Sequence, residues 1–342
     1  MKLKTKTLFL AVPVALAMSP VAEELDLTPR FTKGQTLILT NTVSMEMGLD
    51  DISALMDGQE MLAGAVEFDM EMAMTQELTE QILEVRDGKI AKMNVTTDAM
   101  DVEVSGEVNA MGEGDSLDES VESPIVGRTV QLTIDEDGEV SRKDITEDAE
   151  PLSDAELAMV THLSHFELVS PSDKVEEGKE FEIAPEWEDE WKEMMEQAMS
   201  GMDTSELPPE AADAMEGIMD SAMEAMDFAA TGKVTKVEDG VATIEYEMDM
   251  DMNIDDLMDM IMGAMPPEAS DQMPPINAML EMSMNMTGTG SYDIELGQYT
   301  SMEMGGEFEI VFSGDADLGG ATGEASATMS GEISIASTIS AE

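Results

Sequence analysis

The chain contains no cysteine, so disulfide bonds and a lipid anchor on an N-terminal cysteine are excluded. It has two histidines, His162 and His165, too few for a zinc site built from His and Cys. Aromatic residues make up 4% of the sequence, and 16 Lys and Arg stand against 76 Asp and Glu. The net charge of −60 excludes nucleic acid as a partner, because a polyanion would be repelled.

Long apolar runs are also absent. A helix that crosses a bilayer needs about 20 apolar residues, and no segment of the sequence reaches that length. Lysines within the first six residues precede an apolar run at 8–18, and Ala15 and Ala17 provide a small-x-small cleavage site. We therefore assign residues 1–22 to a signal peptide. The mature chain is expected to be exported and soluble, in the periplasm or outside the cell, with no membrane span. Its acidic surface, poor in lysine, suits a saline habitat.

Methionine is abundant, with 36 residues, and in several segments it alternates with acidic or polar residues. Residues i, i+2 and i+4 of a β-strand share one face, so such a segment carries sulfur on one side and acids on the other. Another set of methionines has helical spacing and forms a single stripe. The strand sets are Met70, Met72 and Met74; Met248, Met250 and Met252; and Met282, Met284 and Met286; the helical set is Met215, Met219, Met223 and Met226.

Strand and turn signals predict two β-rich halves, at 31–145 and 228–340, with a helical insertion that includes one short strand at 146–227. Asp-Gly pairs at 87–88, 137–138 and 239–240 are typical of tight hairpins. A polar segment before Pro124 is expected to be a loop. A short helical excursion at 254–275 interrupts the second half.

Ser153 and Glu156 have the spacing of a capping box and predict a helix over 153–166. The predicted fold class is mainly β (α+β): a large curved antiparallel sheet or partial barrel, with helical insertions covering one face. Curvature is expected because sheets of ten or more strands rarely stay open and flat. Whether the two β-rich halves share one sheet is left open.

Several short segments together resemble those of a loose family of exported, β-rich bacterial proteins of unknown function. The resemblance spans most of the mature chain and implies no catalytic residue. Many members of this family are lipoproteins, and the lack of cysteine here implies a soluble relative. The segments are Gly34-Gln35, Val126-Gly127-Arg128, Asp137-Gly138, Val175 to Lys179, Val237 to Ala242 and Gly288 to Asp293.

The methionine faces allow four interpretations. They form a solid core, because Met fills irregular gaps; they form an adaptable apolar surface for a lipid or another apolar small molecule; or they capture Cu(I) or Ag(I) through thioethers. The fourth is a sacrificial sink for oxidants through sulfoxide formation, a use that every exposed methionine offers. Twelve of the methionines named above, all except Met226, are the candidate ligand face. We predict no cofactor and no metal site, and the oligomeric state is left open.

Signals for catalysis are poor, because the sequence contains no nucleophile elbow, metalloprotease, P-loop or dinucleotide motif. The segment 249–253 starts like an EF-hand loop, but Ile254 and Met260 stand where Gly and Glu are required. We therefore expect a non-enzymatic exported protein with a binding or envelope-support role. Soft-metal sequestration is the alternative, and an acidic exported hydrolase is the second alternative.

Overall fold

The computed structural model of the chain describes residues 24–56, 59–60, 66–110, 113–135, 140–147, 149–158, 160, 170–171, 173–183, 225–254, 276–317 and 322–341. Regular structure in these ranges is almost entirely β. The elements are β1 (Glu24–Leu25), β2 (Thr36–Met56), β3 (Gln59–Glu60), β4 (Val66–Arg86), β5 (Lys89–Ala110), β6 (Glu113–Glu122), β7 (Thr129–Ile134), β8 (Val140–Asp144), α1 (Asp154–Ala158), β9 (Val175–Glu176), β10 (Glu180–Glu182), β11 (Met226–Glu238), β12 (Val241–Ile254), β13 (Ile276–Asp293), β14 (Gln298–Asp317) and β15 (Thr322–Ala341).

Thirteen of these strands form a single antiparallel sheet. Its order is β10-β11-β12-β13-β14-β15-β2-β4-β5-β7-β8, with β3 added to β2 and β6 added to β5, while β1 and β9 pair separately. Within the described residues the outer strands β8 and β10 do not pair with each other, so the sheet is open. The prediction of a mainly β fold with a large antiparallel sheet is confirmed.

The two β-rich halves belong to this one sheet, because the last strand pairs with the first long strand. The β15–β2 register runs from Gly323 opposite Met56 to Ala341 opposite Leu37. Across this junction the hydroxyls of Ser44 and Ser334, 290 positions apart in the sequence, lie 2.7 Å from each other. The sheet therefore has long-range pairing at its centre and local hairpins on either side.

Two predicted hairpin turns are confirmed by their backbone angles. Asp87 and Gly88 have φ of 52° and 89°, and Asp239 and Gly240 have φ of 52° and 82°. Positive φ at both central residues is typical of the type I′ turn that suits the twist of paired strands. The third Asp-Gly pair, at 137–138, lies outside the described residues.

The expected loop before Pro124 is wrong over 113–122, where β6 pairs with the end of β5 from Ala110 to Asp101. Long-range pairing overrides the low β-propensity of the acidic and small residues in this segment. The residues described after it contain the five-residue helix α1, preceded by the predicted capping box: Glu156 Oε2 accepts hydrogen bonds from Ser153 N and Oγ at 2.6 and 2.7 Å.

Helical insertions that cover one face are not supported by the described residues. Residues 184–224, 255–275 and the signal peptide at 1–22, on which those predictions fall, lie outside them. The remaining part of the insertion contributes α1 and the short strands β9 and β10.

The core lies at one end of the sheet, which we call the packed end. The hairpin turns 87–88 and 239–240 lie there, and the N-terminal segment 24–35 crosses it. Tyr292 Oη donates a hydrogen bond to Thr28 O at 2.8 Å, and Leu27 is fully buried. Ile125 and Val160, from the segments that follow β6 and α1, are also buried in this cluster. One end of the strands is thus closed by chain from outside the sheet.

Candidate functional site

Strand register sorts the side chains of the long strands into an apolar face and an acidic face. Along one row of the apolar face the cross-strand partners run from β12 to β4. The row consists of Met248, Met286, Gly306, Ile333, Met45 and Met72. The next row contains Met250, Met284, Phe308, Gly331, Met47, Met70, Gly106 and Leu117. The apolar face is therefore continuous from β12 to β5, and Leu117 extends it into β6, where the acidic Glu119 and Asp115 are the partners of Val104 and Val108.

The predicted methionines occupy two separate parts of this face. Those of β12 and β13 form direct cross-strand pairs: Met248 with Met286, Met250 with Met284 and Met252 with Met282. Those of β4 are separated from them by three strands, β14, β15 and β2. Met70 and Met72 pair with Met47 and Met45, and Met74 pairs with Val43. Of the predicted helical set, Met215, Met219 and Met223 lie outside the described residues, and Met226 is not helical but begins β11, where it pairs with Met252.

Sequence reasoning missed the methionines that extend the face between these two parts. The pentapeptide Ser-Met-Glu-Met-Gly occurs twice, at 44–48 in β2 and at 301–305 in β14. Met45 and Met47 come from the first copy, and the buried Met302 and Met304 come from the second. The repeat was the available signal, since both copies carry the same alternation.

Burial along the apolar face decreases with distance from the packed end in β2, β4, β5 and β15, whereas Ile254 and Ala278 are buried at the far ends of β12 and β13. Met93 and Val95 at the start of β5 are fully buried, whereas residues 98–109 of the same strand include no buried side chain. The same holds for residues 40–50 of β2, 68–75 of β4 and 322–336 of β15. We call these parts of the strands, together with the adjoining ends of β2, β6 and β14, the distal half.

Large apolar side chains are exposed in the distal half. Met56 is 42% exposed, Val108 40%, Leu117 45% and Phe312 37%. All four belong to the apolar face: Val108 pairs with Phe68, Leu117 with Gly106, and Phe312 with Ala327. Monomeric soluble proteins rarely expose contiguous apolar surface of this kind, so this part of the sheet is the candidate functional site.

The opposite face carries acids in equivalent rows. Glu307, Glu332, Glu46 and Glu71 are consecutive cross-strand partners on β14, β15, β2 and β4, and all are exposed. Like charges directly opposite one another destabilise a sheet, so this face favours water and counterions.

A cavity of about 390 Å³ opens near the start of β11 and the end of β12. It is lined mainly by polar and acidic residues: Asp227, Asp251, Asn253, Glu281, Ser283 and Glu309. In the part of the chain that the structure describes, no three His, Cys, Asp or Glu side chains lie close enough together to hold a metal ion.

Titratable groups at the packed end have structural roles. Tyr246 Oη donates to Tyr299 Oη at 3.3 Å, and the Tyr292 and Tyr299 rings meet edge to face at 5.1 Å between centroids. Burial raises the pKa of Tyr246 and of Tyr299, so both hydroxyls stay neutral.

Asp144 is held by Arg128, whose guanidinium donates to it and to the carbonyl of Glu150. Burial alone would raise the pKa of Asp144. The hydrogen bonds from Thr146, Arg128 and Leu152 outweigh this effect and lower the pKa to about 2. The pair ties the end of β8 and the chain after it to the residue before β7.

Comparisons with family models and with curated proteins find no match. Among solved structures, OprB of Pseudomonas putida aligns over 88% of this chain and 92% of its own, with 6% identity and a TM-score of 0.21. OccK7 of Pseudomonas aeruginosa aligns over 90% and 100%, with 6% identity and a TM-score of 0.21. The COG4313 outer membrane channel of Pseudomonas putida F1 aligns over 90% and 97%, with 7% identity and a TM-score of 0.17.

The exposed apolar residues of the distal half do not suit a surface that faces only water, and they overturn three expectations drawn from the sequence. These are the soluble binding or envelope-support protein, the soluble periplasmic or extracellular location, and the absence of a membrane span. Within the described residues no helix has the length and apolarity needed to cross a bilayer.

Proposed function

We propose that this chain works at a membrane, where the distal half of its apolar face contacts lipid and its acidic face contacts water. The observation that carries the proposal is the alignment of exposed Met56, Val108, Leu117 and Phe312 on one face of the sheet. The proposed role is non-enzymatic: the sheet attaches to the membrane or inserts into it.

The dimensions of the distal half suit this role. Residues 66–75 of β4 and 98–110 of β5 lie beyond the buried part of their strands. A strand rises about 3.4 Å per residue, so segments of this length reach about 30–45 Å. About ten residues of strand cross a hydrocarbon layer of about 30 Å, which the distal half is long enough to match.

Alternation supports the same conclusion. Strands that contact lipid on one face and water on the other carry apolar and polar residues in turn. Here the apolar row that ends in Leu117 lies next to the row of Glu307, Glu332, Glu46 and Glu71 on the other face. The net charge of −60 disfavours anionic headgroups, so zwitterionic lipid is the expected surface.

Flotation with phosphatidylcholine vesicles tests the proposal. The full chain should float with vesicles, and Leu117→Glu or Phe312→Glu should lower the bound fraction about tenfold or more. Transfer of an apolar side chain of this size contributes about 1.5–3 kcal/mol when complete, and the new charge adds a further penalty.

Leu296→Glu is the matched control, because Leu296 is 54% exposed but lies in the turn between β13 and β14 at the packed end. It should bind vesicles like the unmodified chain. The proposal would be contradicted if the unmodified chain stayed in the unbound fraction. It would also be contradicted if Leu296→Glu bound vesicles as weakly as the distal variants.

A further inference from the structure

The methionines of the apolar face differ in burial although they share one residue type and one sheet. Met248, Met250, Met286, Met302 and Met304 are 4–7% exposed. Half-buried partners instead face each other in the pairs Met45 with Met72, Met47 with Met70, and Met252 with Met282, and Met252 also pairs with the half-buried Met226. We call the six residues of the first three pairs the half-buried pairs.

We propose that the half-buried pairs are a sulfoxidation site for peroxides, and that their oxidation releases the distal half from lipid. The second part rests on the proposed membrane function, and the first part does not. In the reaction the thioether sulfur attacks one peroxide oxygen and the O–O bond breaks. The sulfur is oxidised to a sulfoxide, and hydrogen peroxide is reduced to water.

The place of the half-buried pairs on the apolar face determines what their oxidation changes. Met47 and Met70 belong to the row that continues through Gly106 to the exposed Leu117. Gly106 has no side chain and lies between Met70 and Leu117 in that row. A Cβ at Gly106 would lie 3.0 Å from the backbone oxygen of Asp69 and 3.8 Å from the Cβ of Met70. Oxidation here places a polar S=O group inside the surface that contacts lipid.

Cross-strand pairing increases the polarity that oxidation introduces at one place. Directly opposed residues in an antiparallel sheet have Cβ atoms about 4.5–5.5 Å apart, so two sulfoxides in one pair put two dipoles side by side. Methionine is otherwise suited to an adaptable apolar surface, and oxidation converts that flexible apolar side chain into a polar one. Oxidation of the six residues makes the face polar in two separate parts, one on β2 and β4 and the other on β12 and β13.

Peptide mapping by mass spectrometry tests the site itself. The folded full chain is treated with dilute hydrogen peroxide, and the sulfoxide fraction is followed at each methionine over time. The half-buried pairs should oxidise at least tenfold faster than the five buried methionines, with the 42% exposed Met56 as a fast reference. In denaturant the difference should vanish. Equal rates in the folded chain would overturn the assignment.

Vesicle flotation before and after peroxide tests the consequence. Binding of the unmodified chain should fall at least fivefold after oxidation and should recover after treatment with methionine sulfoxide reductases. In a Met56→Leu background, which removes the oxidisable exposed methionine of the distal half, changing all six residues to Leu nearly conserves volume, and this variant should bind before and after treatment alike. If this variant loses binding as the unmodified chain does, the release mechanism is wrong.

A Met47→Gln, Met70→Gln variant imitates the polarity of the sulfoxide without oxidant and should bind vesicles weakly. The two proposals fail separately. If the untreated chain does not bind vesicles, the proposed membrane function is wrong. Peptide mapping would still show whether the half-buried pairs are the oxidation site. A Gln variant that binds like the unmodified chain would overturn the release.

Discussion

At the scale of single residues, the ion pair between Asp144 and Arg128 is the feature with the clearest dependence on pH. The Asp144 side chain is 9% exposed, and its pKa in the folded chain is about 2, below the ordinary value of 3.8. A carboxyl whose pKa is lowered by folding contributes stability above its unfolded pKa. That contribution is lost as the pH falls through the folded pKa.

We therefore expect the free energy of unfolding to decrease by on the order of 1–2 kcal/mol between pH 4 and pH 2 because of this group. Asp144→Asn should destabilise the chain at pH 7 and should flatten the decrease between pH 4 and pH 2. Urea unfolding at several pH values measures both effects. Asp173→Asn, at an exposed position, is the control, and an Asp144→Asn variant with an unchanged pH profile would contradict the assignment.

At the scale of the strands, two adjacent glycines in β14 have opposite surroundings. A Cβ at Gly306 would lie 2.0 Å from the backbone oxygen of Asn285 and 2.8 Å from Met286 Cα. At Gly305 the nearest atom would be Ile333 O at 3.7 Å, an ordinary contact. The strand thus needs glycine on its apolar face and tolerates a side chain on the other.

Gly306→Ala should destabilise the sheet by about 3 kcal/mol, because neighbouring backbone must move to make room. Gly305→Ala should change stability by only about 0.5 kcal/mol. Thermal or urea unfolding measures the stability of both variants. The two carry the same substitution in the same strand, but on opposite faces of the sheet. Equal destabilisation by both variants would show that the close approach of β13 to Gly306 is not the cause.

Face composition was predictable from the sequence, whereas strand neighbours were not. Alternation is local, so the Met248 to Met252 and Met282 to Met286 segments indicated their apolar faces directly. That Met70 and Met72 pair with Met47 and Met45 depends on a register set by distant parts of the chain. β6 was missed because its acids and small residues disfavour a strand in isolation.

The candidate site was predictable in the same partial way. Alternation indicated which residues share the apolar face, but it is the same in buried Met248 and half-buried Met72, so exposure could not be deduced from it. Exposure depends on which half of each strand the closing segments at the packed end reach. Val108 and Leu117 lacked a methionine pattern and were therefore not singled out.

At the scale of the whole molecule, electrostatic repulsion between the carboxylates of the acidic face opposes folding. Each adjacent pair of glutamates in the row Glu307, Glu332, Glu46 and Glu71 costs on the order of 0.2–1 kcal/mol. The net charge of −60 adds repulsion over longer distances. Salt screens such interactions, with a Debye length of about 10 Å at 0.1 M.

The melting temperature should therefore rise with NaCl, and most steeply below about 0.2 M. Glu46→Gln combined with Glu332→Gln should raise the melting temperature in low salt and should reduce its dependence on NaCl. Glu177→Gln, at an exposed turn after β9, is the control and should behave like the unmodified chain. A double variant that keeps the full salt dependence would exclude the row as a principal source of repulsion.

The pairing of β15 with β2 also determines when the sheet can be completed during synthesis. β2 leaves the ribosome early, and the strand that covers one of its edges, Thr322–Ala341, is the last to emerge. Until then β2 presents an open edge, which is prone to aggregation. Completion also waits for the closure of a loop of nearly the whole chain, a slow step in β-rich topologies. The nascent chain therefore depends on protection of that edge throughout translation.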